Sequence, residues 1–314
     1  METKEDEMEK TILVAIDGSV FSGASLDYLA KLFGSDHSLS IHLLSVVSSG
    51  GGDKDWMFDV DPHRTHSPES EKKAHLARKH LKDAENRLVH NGFTRERIES
   101  RVKIASNISS AIREEAERGH YDSVLLGRRG LGTVGNMFFG STSGELIEKC
   151  HTIPLWIVDG TVNASRFLLA VHSHPSSLMA ADHLAYMLKN HPGVEICLYH
   201  SNSVFGTQQP AKAEDFHAQW GKAWCDQYLD LENFLFYAHA QLLADSGIPR
   251  RSITQLPAQM HIDISSDLLR QAKQHNCGTI VIGRRRRDLT KGQLKGVSDK
   301  TLKQAQNIAV WLAG

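Results

Sequence analysis

Several common signals are missing from this sequence of 314 residues. No run reaches the roughly 18 uninterrupted apolar residues of a membrane span, and the first ten residues are charged rather than apolar. The 36 lysines and arginines balance the 37 aspartates and glutamates, which gives a net charge of −1. The chain therefore lacks the excess of basic residues that is typical of a nucleic-acid-binding protein. We therefore expect a cytoplasmic protein with neither a membrane nor a nucleic-acid partner.

Cysteine is also scarce. The four cysteines form no C-x-x-C pair and are widely spaced, at Cys150, Cys197, Cys225 and Cys277. This excludes a zinc knuckle and a disulfide framework, and it predicts buried thiols. The 18 histidines include no H-E-x-x-H motif, and we predict no metal site of the protein's own.

Apolar strands alternate with amphipathic helices along the chain. A continuous apolar run over 11–16, a helical pattern over 21–33 and a second strand over 39–47 form a β-α-β unit. The pattern continues with a helix over 68–92, a strand over 98–104, a helix over 108–118, a strand over 123–126, a helix over 141–149 and a strand over 154–158. Strands that are apolar on both faces and joined by helices predict a parallel sheet.

The second half repeats this order. A strand at 167–171 corresponds to the strand at 12–16 with a shift of 155 residues, and Gly283 corresponds to Gly127 with a shift of 156. We expect two tandem domains, 1–160 and 161–314. The second has an additional aromatic stretch, which we predict to be one helical segment over 213–244 that packs in the core or between domains rather than lining a ligand pocket.

A glycine-rich loop over 127–143 is the strongest motif. It leaves a buried strand and enters a helix, where backbone N–H groups and the helix dipole favour an anion such as phosphate. Its G-x-G-x-x-G run follows the fourth strand rather than the first and has no acidic residue about 20 positions on, which argues against a Rossmann dehydrogenase. No Walker sequence G-x-x-x-x-G-K-[ST] occurs.

The motif resembles that of the universal stress proteins, whose ATP-binding members carry G-x2-G-x9-G-[ST]. The matching residues are Gly127, Gly130, Gly140 and Ser141. The resemblance extends to Asp17 after the first strand and to Val46 near the end of the second. It covers roughly 11–160 and, more weakly, 166–313.

This resemblance implies an α/β fold in each domain: an open, twisted sheet of five parallel strands of the adenine nucleotide alpha hydrolase type. It implies ATP, with or without Mg²⁺, as the bound cofactor. Asp17 would contact the nucleoside end, and the main chain of Val46 would meet adenine. The phosphates and ribose would be held by Gly127, Gly130, Gly140, Ser141, Thr142 and Ser143, with Arg129 as a charge partner.

The second copy departs from this pattern. His172 stands where Asp17 is expected, Arg286 replaces a loop glycine, and Val297 replaces the hydroxyl of Ser141. The run from Arg284 to Arg287 is either a solvated basic loop or an anion site built from side chains, and the sequence favours the former.

We therefore expect a regulatory, stress-response protein that binds ATP in its N-terminal domain and has no defined catalytic residue. The alternatives are a slow ATPase and a nucleotide-independent scaffold for a protein partner that the sequence does not identify. The short apolar strands 154–158 and 309–312 end the two copies. We expect the domains to pair through them as an intramolecular pseudo-dimer, with a homodimer as a further option.

Overall fold

The computed structural model describes residues 9–34, 36, 38–49, 68–128, 141–162, 165–189, 191, 193–203, 211–284 and 296–314. Contacts divide the chain into two compact units, Met1–Ile153 and Pro154–Gly314. Among the described residues, no helix combines the length and the apolar character needed to cross a membrane.

The first unit alternates strands and helices as the sequence predicts. In chain order they are β1 (Lys10–Ala15), α1 (Val20–Phe33), β2 (Leu39–Ser48), α2 (Pro68–His90), β3 (Ile98–Ala105), α3 (Ile108–Arg118), β4 (Ser123–Gly127) and α4 (Ser141–Lys149). The strands pair in the order β3-β2-β1-β4, and every pair is parallel. Each strand end differs from the predicted one by at most one residue.

Burial explains these elements. Ile12, Leu13 and Val14 of β1 are buried because β1 is a central strand, paired with β2 and with β4, in a sheet on which helices pack. Helix α2 buries one apolar stripe against the sheet, including Leu81 and Leu88, and the rest of its surface is charged. The α/β fold with a mostly parallel sheet is therefore confirmed.

The second unit contains the remaining elements. They are β5 (Leu155–Val158), β6 (Arg166–Ala170), α5 (Pro175–Leu188), β7 (Glu195–Tyr199), β8 (Ser201–Ser203), α6 (Glu214–Trp220), α7 (Lys222–Tyr228), α8 (Phe236–Asp245), β9 (Ile253–Gln255), β10 (Gln259–His261), α9 (Ile264–Gln274), β11 (Thr279–Gly283), α10 (Val297–Gln304) and β12 (Ala309–Ala313). Five strands are parallel in the order β12-β11-β6-β7-β9, β5 joins β12 antiparallel, and β8 pairs with β10 separately.

The two sheets share their strand register. Ile12 lies opposite Ile41 in the first unit and Phe167 opposite Ile196 in the second, a shift of 155 residues on both strands. The same shift relates the pair formed by Ile41 and Ile98 to the pair formed by Ile196 and Ile253. The internal repeat inferred from the sequence thus has a structural counterpart in strand pairing.

The strands β5 and β12, which end the two copies, pair with each other around a tryptophan stack. Trp156 lies opposite Trp311, and their rings are stacked with centroids 3.7 Å apart and planes 2° apart. Both side chains are fully buried, and Trp156 Nε1–H donates to Nε2 of the partly buried His183.

The prediction of one helical segment over 213–244 is wrong. The chain forms α6, α7, a 3₁₀ turn over Leu231–Asn233 and α8 instead. Gly221, with φ of 75°, separates α6 from α7, and the left-handed Phe234 and Leu235 precede α8. The predicted burial of the four cysteine thiols is confirmed, and all four are free.

Candidate functional site

The carboxyl end of β1 brings an aspartate to the start of a helix. Asp17 is partly exposed and its Oδ1 accepts a hydrogen bond from the backbone N–H of Ser19 at 3.0 Å. The Ser19 side chain caps α1 by accepting from the N–H of Ser22. Between them, Gly18 has φ of 77°, a backbone conformation that favours glycine.

The end of β4 lies beside β1. Gly127 is the last residue of β4, and a Cβ on it would lie 2.8 Å from the backbone carbon of Phe21 in α1. The structure thus gives Gly127 a packing role in addition to the one predicted from the loop motif. Arg128, which follows, is almost fully buried at 2% exposure, and the sequence analysis did not single it out.

The first turn of α4 carries the predicted hydroxyls. Ser143 is buried, and its Oγ donates to the carbonyl oxygen of Gly127 at 3.0 Å. A serine hydroxyl has one hydrogen, so in this geometry Ser143 has none left to donate to a phosphate. Thr142 is only partly buried, at the helix end where β4 and α4 come together.

The main chain of Val46 projects beyond the end of β1. The last residue of β2 opposite β1 is Leu44, and its carbonyl accepts from the N–H of Ile16 at 2.8 Å. Because strand residues alternate, the N–H and C=O of Val46 point to the same side as those of Leu44. They therefore face the space past the end of β1, beside Asp17.

The electrostatics at the helix starts suit an anion. Neither α1 nor α4 has an acidic residue in its first turn. The partial positive charge of each helix start is therefore not neutralised by a side chain of that turn. The nearest carboxylate on α4 is Glu145, and hydrogen bonds from Lys149 and Ser109 lower its pKa to about 2.

One histidine near Asp17 escaped the sequence analysis. His80 of α2 packs on Gly18 so closely that a Cβ there would lie 2.1 Å from Nδ1. Its position inside a long charged helix gives no local signal. Only the packing of α2 against α1 brings it to the end of β1.

The structure brings together Asp17, Val46, Gly127, Thr142 and Ser143 at the carboxyl ends of three neighbouring strands and the start of α4. Arg129, Gly130 and Gly140, and the side chain of Ser141, lie outside the described residues, so their predicted roles stay predictions.

The equivalent positions of the second unit are built differently. His172 stands in place of Asp17, and its N–H donates to Ser177 Oγ at 3.1 Å. Gly283 keeps the packing role of Gly127, since a Cβ on it would lie 2.1 Å from the carbonyl oxygen of Ser176. Arg284 is buried rather than solvated, whereas Arg285–Arg287 lie outside the described residues.

Comparison with known proteins agrees with this fold. Residues 8–159 match the model of the universal stress protein family. No curated protein matches the chain. A universal stress protein from Archaeoglobus fulgidus DSM 4304 is similar in structure, with a TM-score of 0.62 and 15% identity over 98% of this chain and 97% of that chain.

A protein of unknown function from Pseudomonas aeruginosa PAO1 is also similar, with a TM-score of 0.56 and 13% identity over 98% of this chain and 93% of that chain. At these identities the similarity shows the fold alone. The match of the family model shows that residues 8–159 form a domain of the universal stress protein family.

Proposed function

We propose that the first unit binds an adenine nucleotide, ATP, and that the protein acts in the cytoplasm as a nucleotide-dependent regulator of the stress response. The observation that carries this proposal is the strand order β3-β2-β1-β4. The chain order reverses direction between β1 and β4, and ligands of open α/β sheets bind outside the carboxyl ends of the strands at such a switch point. Asp17 and the glycine loop follow those two strands.

Each part of the nucleotide has a matching group in this proposal. The main-chain groups of Val46 face the position of the base, and Asp17 accepts hydrogen bonds from the ribose hydroxyls. The phosphates lie against the glycine loop from Gly127 to Gly140 and against the N–H groups at the start of α4. Arg129 and the Thr142 hydroxyl add a charge and a donor.

Asp17 is the one carboxylate among the predicted site residues, and the proposal places it at the ribose. Any Mg²⁺ would therefore be held mainly by the phosphates and by water, because magnesium usually keeps several waters and binds substrate phosphates. The cation would neutralise phosphate charge and fix the conformation of the polyphosphate chain.

Binding is favoured over turnover. The loop from Gly127 to Ser143 contains no histidine, aspartate or glutamate that could act as a general base. A slow ATPase would therefore have to recruit its base from outside the loop, and His80, which packs on Gly18, is one candidate. The other alternative, a nucleotide-independent scaffold, predicts protein that neither carries nor binds nucleotide.

Mass spectrometry of the ligand released from freshly purified protein tests this proposal. We expect an adenine nucleotide from the wild type. We expect none from Gly130→Arg, which copies Arg286 of the second unit and puts a side chain where backbone must approach phosphate. The near-ultraviolet circular dichroism of the variant should match the wild type. Wild-type protein that carries no nucleotide and binds none when ATP is added would instead support the scaffold.

A further inference from the structure

Two of the four cysteines meet inside the second unit. Cys197 lies on β7, and Cys277 lies between the end of α9 and the start of β11. Both are buried and free, and a hydrogen bond joins their thiol groups. The aromatic stretch and α9 separate them along the chain, so the sequence gives no local sign of this contact.

An arginine side chain connects the two segments that carry these thiols. Arg166 lies opposite Glu195 in the sheet, and its Nε donates to the Glu195 carboxylate at 2.6 Å. Cys197 is two residues after Glu195 and therefore lies on the same face of the sheet. Arg166 Nη1 donates to the carbonyl oxygen of His275 at 2.9 Å, and Cys277 Sγ lies 3.7 Å from the same oxygen. Both thiols therefore lie near one guanidinium group.

The local charge makes one thiol the nucleophile. The hydrogen bond from Cys277 lowers the pKa of the Cys197 thiol, and the positive charge of Arg166 lowers it further, against the opposing effects of burial and of Glu195. The same hydrogen bond, together with burial, raises the pKa of Cys277, which therefore keeps its proton. A thiolate beside an arginine is the reactive form of cysteine, whereas a structural core thiol is inert.

A groove reaches this pair from the surface of the second unit. It has a volume of about 530 Å³ and lies at the amino ends of β11 and β12, beside the ends of α9 and α10. Cys277 contributes to its lining, together with the polar residues Lys273, Asn276, Gln304 and Asn307. A small polar molecule can therefore approach Cys277 from solvent.

We propose that Cys197 and Cys277 form a reversible redox site, which hydrogen peroxide or another small hydroperoxide converts to a disulfide. The Cys197 sulfur attacks one peroxide oxygen, so that an S–O bond forms and the O–O bond breaks. The released hydroxide takes up the proton of the Cys197 thiol and leaves as water. The reaction needs no nucleotide, so this site goes beyond the proposed function.

The second step closes the disulfide. The Cys277 sulfur attacks the Cys197 sulfur, so that the S–S bond forms and the S–O bond breaks. The departing hydroxide takes up the proton of the Cys277 thiol and leaves as a second water. The two sulfurs lose two electrons in total, and these reduce one hydrogen peroxide to two waters.

Thiol counting and peptide mass spectrometry test the proposal in the full chain. Native protein is treated with equimolar hydrogen peroxide, denatured in iodoacetamide and digested without reduction. We expect the wild type to lose two of its four thiols and to yield a linked peptide pair that contains Cys197 and Cys277, and dithiothreitol should restore all four thiols. The matched control is Cys225→Ser. Burial raises the pKa of that thiol, so its removal should leave the same link in place.

A second variant tests the order of the two steps. Cys277→Ser should leave Cys197 as a sulfenic acid, which dimedone traps. The wild type should give at least about tenfold less of this adduct, because Cys277 closes the disulfide first. A wild type that keeps all four thiols, or that links a different pair of cysteines, would contradict the proposal. That wild-type result needs no substitution, so it decides the matter even where a variant does not fold.

Discussion

At the scale of single residues, two glycines at equivalent positions of the two copies, Gly127 and Gly283, share a packing constraint. Gly127 is confined by the backbone of Phe21 in α1, and Gly283 is confined in the same way by Ser176 in α5. This packing constraint explains why both copies keep this glycine although the second copy has lost Gly130. The sequence motif alone could not separate the packing role from the phosphate role, because the close approach of the helix is a tertiary contact.

We predict that Gly127→Ala destabilises the protein by about 1–3 kcal/mol, because a Cβ overlaps backbone that cannot move aside easily. The matched control in α1 is Gly23→Ala. Its added Cβ would meet only the flexible end of Arg87, and alanine is the better helix former by about 1 kcal/mol. Urea unfolding of both variants measures the difference. Equal stabilities would show that Phe21 gives way at no cost.

The fully buried His239 and the partly buried His183 of the second unit make its stability depend on pH. Burial lowers the pKa of His239 to about 4 and that of His183 to about 3, whereas both should titrate near 6.5 when unfolded. In the folded state the neutral imidazoles make hydrogen bonds. His239 Nε2 lies 2.8 Å from Ser177 Oγ, and His183 Nε2 accepts a hydrogen bond from Trp156.

Because the folded-state pKa is the lower one, this stability is fully present above pH 6.5 and is lost as the pH falls toward 4. Each histidine should change the free energy of unfolding by up to about 1.4 kcal/mol per pH unit within that window. Urea titrations at pH 7.5, 6 and 5 measure the slope. His239→Gln, which keeps a donor and an acceptor, should reduce the slope, whereas substitution of the exposed His90 should leave it unchanged.

At the scale of elements, the hydrophobic pattern was sufficient to predict the strands of the sheet but not the helices of the aromatic stretch over 213–244. Strands that are apolar on both faces, such as β1 and β4, are recognisable because no other element needs such a run at that length. The stretch over 213–244 has enough apolar residues for one helix. Its actual breaks depend on the left-handed Phe234 and Leu235, which only tertiary contacts such as Asp230 to α8 stabilise.

Substitutions at the start of α4 test which of its hydroxyl groups binds ATP. We expect Ser143→Ala to cost about 1 kcal/mol of stability, because the carbonyl of Gly127 loses its donor, while ATP affinity changes less than about threefold. Thr142→Ala should weaken ATP binding more than it weakens folding. Unfolding and nucleotide titrations of the two variants would contradict this division if Ser143→Ala lost affinity as strongly as Thr142→Ala.

At the scale of the whole molecule, the two units share a strand register but differ in their local structure. Sequence comparison of the two halves shows the lost aspartate and loop glycine in the second copy, and these substitutions predict one nucleotide per chain. It does not show the stacking of Phe234 on His200, since nothing in the local sequence brings these two rings together. The pairing of β5 with β12 was expected from their short apolar sequences and is present in the structure.

The domain prediction has a consequence for the isolated fragment 1–160. Without β12, the edge of β5 around Trp156 would be exposed, and a second copy could pair with it because Trp156 and Trp311 already occupy equivalent, mutually opposite positions. We expect light scattering to find a dimer. Trp156→Lys should keep the fragment monomeric, and a wild-type fragment that stays monomeric at high concentration would contradict strand-mediated pairing.

The central claim is that one nucleotide site, in the first unit, serves the whole chain. Calorimetric titration of the full chain with ATP tests it most directly, with Gly140→Arg and its second-unit counterpart Gly296→Arg as a matched pair. Among the described residues, a Cβ at Gly296 has only Ser298 Oγ within 4.0 Å, so this substitution should not disturb the described part of the fold. The account predicts one ATP per chain in the wild type and in Gly296→Arg, and none in Gly140→Arg. Two equal sites in the wild type, or loss of binding in Gly296→Arg but not in Gly140→Arg, would contradict it.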